Sequence, residues 1–190
     1  MSARSAIASI LALTFASSAA AAHPLKTVQV QGTAHIGLAT RSILFWFSCA
    51  TDRGKINNLS TGIDVPDTPK LESVFNFRAL EGPTADSGKV HLVATSGGST
   101  TSMRFGSTGS FGTNGAPDTT FTFSAGMVPR ERVDFQRLQA VVATLGSGPA
   151  HLSATIANPR RGPAIEASAD LNELQATELR NAMAPCAAPH

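Results

Sequence analysis

The chain has 190 residues, with 15 Lys plus Arg against 13 Asp plus Glu, a formal net charge of +2 and 42% hydrophobic residues. That length suits one globular domain able to bury its own core. The near-neutral balance excludes the basic footprint of a nucleic-acid binder, and Arg160-Arg161 reads as the solvated corner of a turn.

Residues 1–22 have the three parts of a secretory signal. Arg4 is the basic side chain at the start, Ile7 through Phe15 is apolar, and Ala16-Ser17-Ser18-Ala19-Ala20-Ala21-Ala22 is a run of small residues. Ala20 and Ala22 match the small-residue pockets of signal peptidase. The apolar run is shorter than the roughly 20 residues that span a bilayer. The expectation is a cleaved segment 1–22 and a single exported β-rich domain over 23–190, periplasmic or secreted, that begins at His23. No later segment is long and apolar enough to predict a membrane helix in the mature chain.

Most of the remaining chain alternates with period two, the mark of half-buried strands. Val28 and Val30, Ile36 and Leu38, Leu59 through Ile63, and Phe75 with Phe77 are spaced in this way. So are Leu92 with Ala94, Met103 with Phe105, Phe121 with Phe123, Leu152 through Ile156, and Ile165 with Ala167. Asp52-Arg53-Gly54, Asp67-Thr68-Pro69, Gly97-Gly98, Asn158-Pro159 and Gly162-Pro163 punctuate these runs as turns. Strand–turn–strand order argues for antiparallel pairing. Ser42 through Cys49 is apolar on both faces and predicts a central strand, with Ile43, Phe45, Phe47 and Cys49 on one side. Residues 96–120 are rich in Gly, Ser and Thr and read as a mobile loop.

Two helices are expected. Asp134 can cap the first, whose stripe of Phe135, Leu138, Val141, Val142 and Leu145 stops at Gly146. The second is predicted to start at Asp170, with Glu173 completing a capping box, and to carry Leu171, Leu174, Leu179, Ala182, Met183 and Cys186 on one side. Cys49 and Cys186 are the two cysteines, and an even count in an oxidising compartment predicts a disulfide. A terminal helix pinned across the Phe45/Phe47 face is the simplest arrangement. The fold class expected is mainly β (α+β), an antiparallel β-sandwich-like single domain with two covering helices.

An internal echo runs through this pattern. Ser87 through Thr95 and Ser147 through Thr155 share S-G-x-x-H-L-x-A-T, six identities in nine positions. Upstream of each lie F-x-x-L (Phe77–Leu80, Phe135–Leu138) and Val-Pro (Val65-Pro66, Val128-Pro129), in the same order. The order is consistent with duplication of a β-rich unit. Ala34-His35-Ile36-Gly37-Leu38-Ala39-Thr40 is a weaker third match.

Catalytic signatures are scarce. There is no G-x-S-x-G elbow, no tight run of oxygen ligands for calcium and no phosphate-loop lysine in the glycine-rich segment. Asp64, Asp67, Glu81 and Asp86 could supply paired carboxylates, but they lie beside Pro or Gly, where such residues ordinarily cap turns. Histidine offers the sharpest chemistry. His35, His91 and His151 alternate with inward aliphatic residues, so they face outward and could converge on zinc or copper if their strands were neighbours. His23, once exposed by cleavage, would place an α-amine beside its own imidazole, a copper-chelating pair. The bland alternatives are polar-face histidines and a frayed terminus. No cofactor is implied. The reading is a non-enzymatic binding or envelope accessory protein whose partner is an unknown ligand or envelope protein. The alternatives are a metal-binding protein using His23, His35, His91 and His151, and a hydrolase whose site is not visible in the sequence.

Overall fold

A computed structural model describes residues 25–52, 55–82, 88–112 and 118–187. In chain order the strands are β1 (Leu25–Ile36), β2 (Ala39–Asp52), β3 (Lys55–Val65), β4 (Gly88–Ser96), β5 (Ser99–Phe111), β6 (Phe121–Met127), β7 (Ala150–Ile156) and β8 (Ile165–Leu171). Helix α1 (Arg132–Leu145) precedes β7, and α2 (Glu173–Ala187) follows β8.

The strands close into one antiparallel barrel in the order β1-β2-β3-β6-β5-β4-β7-β8. This corrects the expected sandwich. Two four-stranded sheets, β1-β2-β3-β6 and β5-β4-β7-β8, are joined along two short seams. β1 meets β8 only over Thr33–Ile36, and β5 meets β6 only over Thr108–Phe111. Both seams lie at the same end of the barrel. There the hydrogen bonds close the edges that a sandwich leaves open. Gly32 stands where β1 and β8 part: a Cβ there would lie 2.5 Å from the Ser168 carbonyl oxygen and 3.0 Å from the Phe45 ring.

Away from the seams the two sheets splay, and the helices fill the wedge. α1 packs on β5 and β4, α2 packs on β2 and β1, and the helices pack on each other. Arg180 Nη1 donates to the Gly146 carbonyl at 3.0 Å, and Gln139 Nε2 donates to the Cys186 carbonyl at 2.6 Å. The disulfide joins Cys49 on β2 to Cys186 on α2, with Cα atoms 5.9 Å apart, and both residues are buried.

The opposite end is closed by the segment from Thr68 to Leu80, which contains short 3-10 turns at Thr68–Lys70 and Phe77–Leu80. Phe75 and Phe77, expected in a strand, belong to this plug. Their rings are 4.8 Å apart, and Phe77 lies 5.4 Å from Phe121. Thr68 N–H donates to the Thr119 carbonyl at 3.0 Å, and Asn158 Nδ2 donates to the Val74 carbonyl at 3.1 Å, which fastens the plug to the rim. The interior is therefore packed. Phe45, Phe47, Phe75, Phe77, Phe121 and Phe123 are all fully buried, surrounded by the inward rows of every strand. Burying one such ring stabilises a fold by roughly 1.5–3 kcal/mol relative to leaving it exposed.

Four local expectations change. Ser99–Phe111 lies within the segment expected to be mobile but is a thirteen-residue strand, turned back from β4 by Gly97 and Gly98 at φ 54° and 82°. Met103, Ser107 and Gly109 point inward on it, so small residues serve here as barrel packing rather than as loop. Asp170 and Leu171 end β8, and the reciprocal box of α2 is Asn172 with Gln175 instead. Leu38 sits at the β1–β2 turn and is fully exposed. α1 ends as expected, with Gly146 bonding back to Val142, but it begins at Arg132 with no side-chain cap.

The two echoed segments pair with each other. β4 and β7 run antiparallel with Val93 opposite Ser153, so His91 faces Thr155 and His151 faces Thr95. Hairpins β4–β5 and β7–β8 thus share a local two-fold relation. The upstream F-x-x-L motifs close opposite ends, Phe77 and Leu80 in the plug and Phe135 and Leu138 in α1.

Candidate functional site

The outer wall is where side chains meet solvent. Thr27, Gln29, Gln31, Thr33 and His35 alternate with the buried row of β1, and His151, Ser153 and Thr155 do so on β7. This polar outside and apolar inside is the reverse of a lipid-spanning barrel. Among the described residues no helix is long and apolar enough to cross a membrane.

The strand histidines share this wall but do not converge. Cross-strand register places Arg104, His91, Thr155, Glu166, His35 and Thr40 in one row across successive strands. At about 4.8 Å per strand, His91 and His35 are on the order of 14 Å apart. His151 lies four residues along β7 from Thr155, about 13 Å at the rise of a strand. Among the described residues no group of three or more His, Cys, Asp or Glu is arranged to hold a metal ion. His23 lies outside the described residues.

Each histidine has a local environment. His151 Nδ1 lies 2.7 Å from Asp170 Oδ1, with side chains 53% and 87% exposed. His35 Nδ1 is 3.2 Å from Thr40 Oγ1, and beside that pair Thr155 Oγ1 donates to Glu166 Oε2 at 2.9 Å. His91 borders an open hollow of about 560 Å³ with Lys89, Arg104 and Phe105. The His151–Asp170 pair resembles part of a hydrolytic dyad, but it stands in open solvent. Orienting an imidazole there lacks the water exclusion that makes catalytic electrostatics strong.

The carboxylate candidates separate as well. Asp67 precedes the first 3-10 turn at φ 56° and pairs with Lys70 at 3.3 Å. Glu81 is bridged to Gly109, and Asp86 lies outside the described residues. Asp64 instead points outward from β3, where Trp46 Nε1 donates to its Oδ1 at 3.3 Å and Thr122 Oγ1 donates to the same oxygen at 2.8 Å.

That contact marks a site with no sequence motif. Trp46 is the single tryptophan of the chain. It occupies the outward parity of β2, between the buried Phe45 and Phe47, and is partly exposed. Its cross-strand neighbours are Gln29 on β1 and Gly62 on β3. A Cβ at Gly62 would lie 2.3 Å from indole Cε2 and Cζ2, so the ring covers that glycine. Beside it opens a hollow of about 440 Å³, lined by Leu25, Thr27, Gln29, Ser48, Ser60 and Asp64 together with the indole. The one legible signal was parity: a tryptophan on the solvent side of a strand whose other face is core.

No family model, no curated protein and no solved structure matches this chain.

Proposed function

We propose that the protein works outside the cytoplasm, in the periplasm or as a secreted protein, as a non-enzymatic binding protein that meets its ligand or envelope partner on the outer wall of the barrel. The observation that carries the reading is the filled interior. Eight-stranded barrels that hold a small ligand inside keep an open mouth and a lumen. Here six buried phenylalanines occupy the centre, α1 and α2 cover one end, and the plug from Thr68 to Leu80 covers the other. Recognition is left to the wall, where the hollow beside Trp46 combines an aromatic ring with a few polar groups in the manner of small-molecule sites.

Export is supported by the pattern of residues 1–22 and by the Cys49–Cys186 bond, which persists in oxidising compartments. The test is expression of the full coding sequence in a bacterium, followed by fractionation and intact-mass measurement. The expected product starts at His23, is disulfide-linked and is found in the periplasm or medium. A chain retained in the cytoplasm with Met1 to Ala22 attached overturns the export half. Turnover of ester, peptide or glycan substrates that a single substitution abolishes overturns the non-enzymatic half.

A further inference from the structure

The hollow beside Trp46 has the chemistry of a recognisable ligand class, and we infer that it is a saccharide-binding site; the inference rests on the binding-protein reading above and deepens it. The argument begins with the ring. Gly62 removes the side chain that would hold the indole off the sheet, and Asp64 anchors Nε1, so the ring lies over the β3 backbone in a fixed pose. One face rests on Gly62, which leaves the other to the hollow. A tryptophan pre-positioned in this way offers a large contact area and loses little conformational freedom on binding.

The surroundings of the ring narrow the ligand. Gln29 brings an amide, Thr27, Ser48 and Ser60 bring hydroxyls, and Asp64 brings a carboxylate, whereas among the described residues no Lys or Arg lines the hollow. Amides and hydroxyls both donate and accept, which suits a ligand that carries many hydroxyl groups. A saccharide ring presents C–H groups on its face and hydroxyls around its edge, complementary to an aromatic floor with a polar rim. An anionic ligand would find no cation among the described lining residues. A quaternary ammonium is bound by a cage of several rings, and among the described lining residues Trp46 is the one aromatic side chain. The hollow also falls within the range of roughly 300–1,000 Å³ usual for small-molecule sites.

The register explains the shape of the floor. Gly62 pairs with Ser124 and Ser60 with Gly126, so small residues flank the indole on this part of the sheet, with the Asn58 side chain lying against Gly126. That leaves room along the wall for more than one sugar unit, with Leu25 and Thr27 at one border and Asp64 at the other.

Trp46, as the only indole, reports directly on its own site. Protein expressed from the full coding sequence is titrated with cellohexaose, the hexamer of N-acetylglucosamine, and tetramethylammonium chloride, following tryptophan emission and, in parallel, heat by calorimetry. The expected result is a saturable emission change with at least one of the two oligosaccharides and none with tetramethylammonium. Trp46→Ala, followed by calorimetry, should weaken that binding roughly 30-fold or more, as for a central aromatic anchor. Gln29→Ala, at an exposed position that cannot disturb the core, should weaken it up to about tenfold. Saturation by tetramethylammonium alone, silence with both sugars, or saccharide binding indifferent to Trp46→Ala and Gln29→Ala would each overturn the assignment. Because export is read by mass and fractionation, an exported, disulfide-linked protein that ignores both sugars rejects the ligand class and leaves the export reading standing.

Discussion

Cys186, the penultimate residue of α2, is bonded to Cys49 on the core-facing row of β2, 137 residues earlier in the chain. The bond ties the last helix into the wedge where the two sheets splay. Closing so long a loop restricts the unfolded chain strongly, and removing a native disulfide of this kind costs about 2–5 kcal/mol. The Cys49→Ala/Cys186→Ala variant should therefore unfold at a clearly lower urea midpoint. A midpoint equal to that of the parent would show that helix packing alone holds α2 in place.

The start of α2 makes a separate prediction. Asn172 Oδ1 accepts from Gln175 N–H at 2.9 Å, while Gln175 Oε1 accepts from Asn172 N–H at 3.0 Å. Asn172→Ala removes the cap and should cost about 0.5–2 kcal/mol, with faster amide exchange in the first helical turn. Asp170→Ala should leave that exchange unchanged, because Asp170 belongs to β8 and points to solvent. The reverse outcome would restore Asp170 as the cap.

Packing inside the barrel can be tested at Gly109. A Cβ there would meet the Phe121 ring at 2.2 Å and the Thr122 carbonyl oxygen at 2.6 Å. Both neighbours are held, the first by Phe111, Phe77 and Phe123 and the second by the β5–β6 seam. Gly109→Ala should destabilise by about 1–3 kcal/mol, the usual cost of overpacking. Leu38→Ala, at a fully exposed turn, should shift the urea midpoint negligibly by comparison. Equal effects at the two positions would contradict a filled interior.

The wall histidines give a chemical prediction. His35, His91 and His151 are spread across the wall, so replacing all three with Ala should leave bound zinc and copper at the parent level, measured on protein without a polyhistidine tag. Stoichiometric metal lost from the triple variant would overturn this reading of the register. Removing His151 also deletes its contact with Asp170, and an exposed pair of this kind contributes about 0–1 kcal/mol.

Much of the barrel was legible because alternation is a local signal. Val28, Val30, Phe45, Phe47, Leu92, Ala94, Leu152 and Ile165 are inward, as their period of two required. Phe75 and Phe77 obey the same spacing without forming a strand, since two residues alternating at a plug cannot be told from two in a sheet. The glycine- and serine-rich segment misled for the opposite reason. Small residues on β5 fit close to the Phe121 ring and the α1 wedge, a demand set by neighbours distant in the chain. Asp64 was named among turn carboxylates, and its role beside Trp46 depends on Trp46 and Thr122 coming alongside from β2 and β6.

The sequence by itself determined the strand-rich character, the inward and outward parity of most strands, both helices and the pairing of Cys49 with Cys186. These follow from periodicity, caps and residue chemistry, which act over a few residues or, for the two cysteines, leave a single partner. Tertiary structure alone decided that the sheets close into a barrel, that the histidines stand apart and that Trp46 overlies Gly62. Each depends on which edges pair and in what register, and edge pairing is a long-range match of hydrogen bonds and packing that no local pattern encodes.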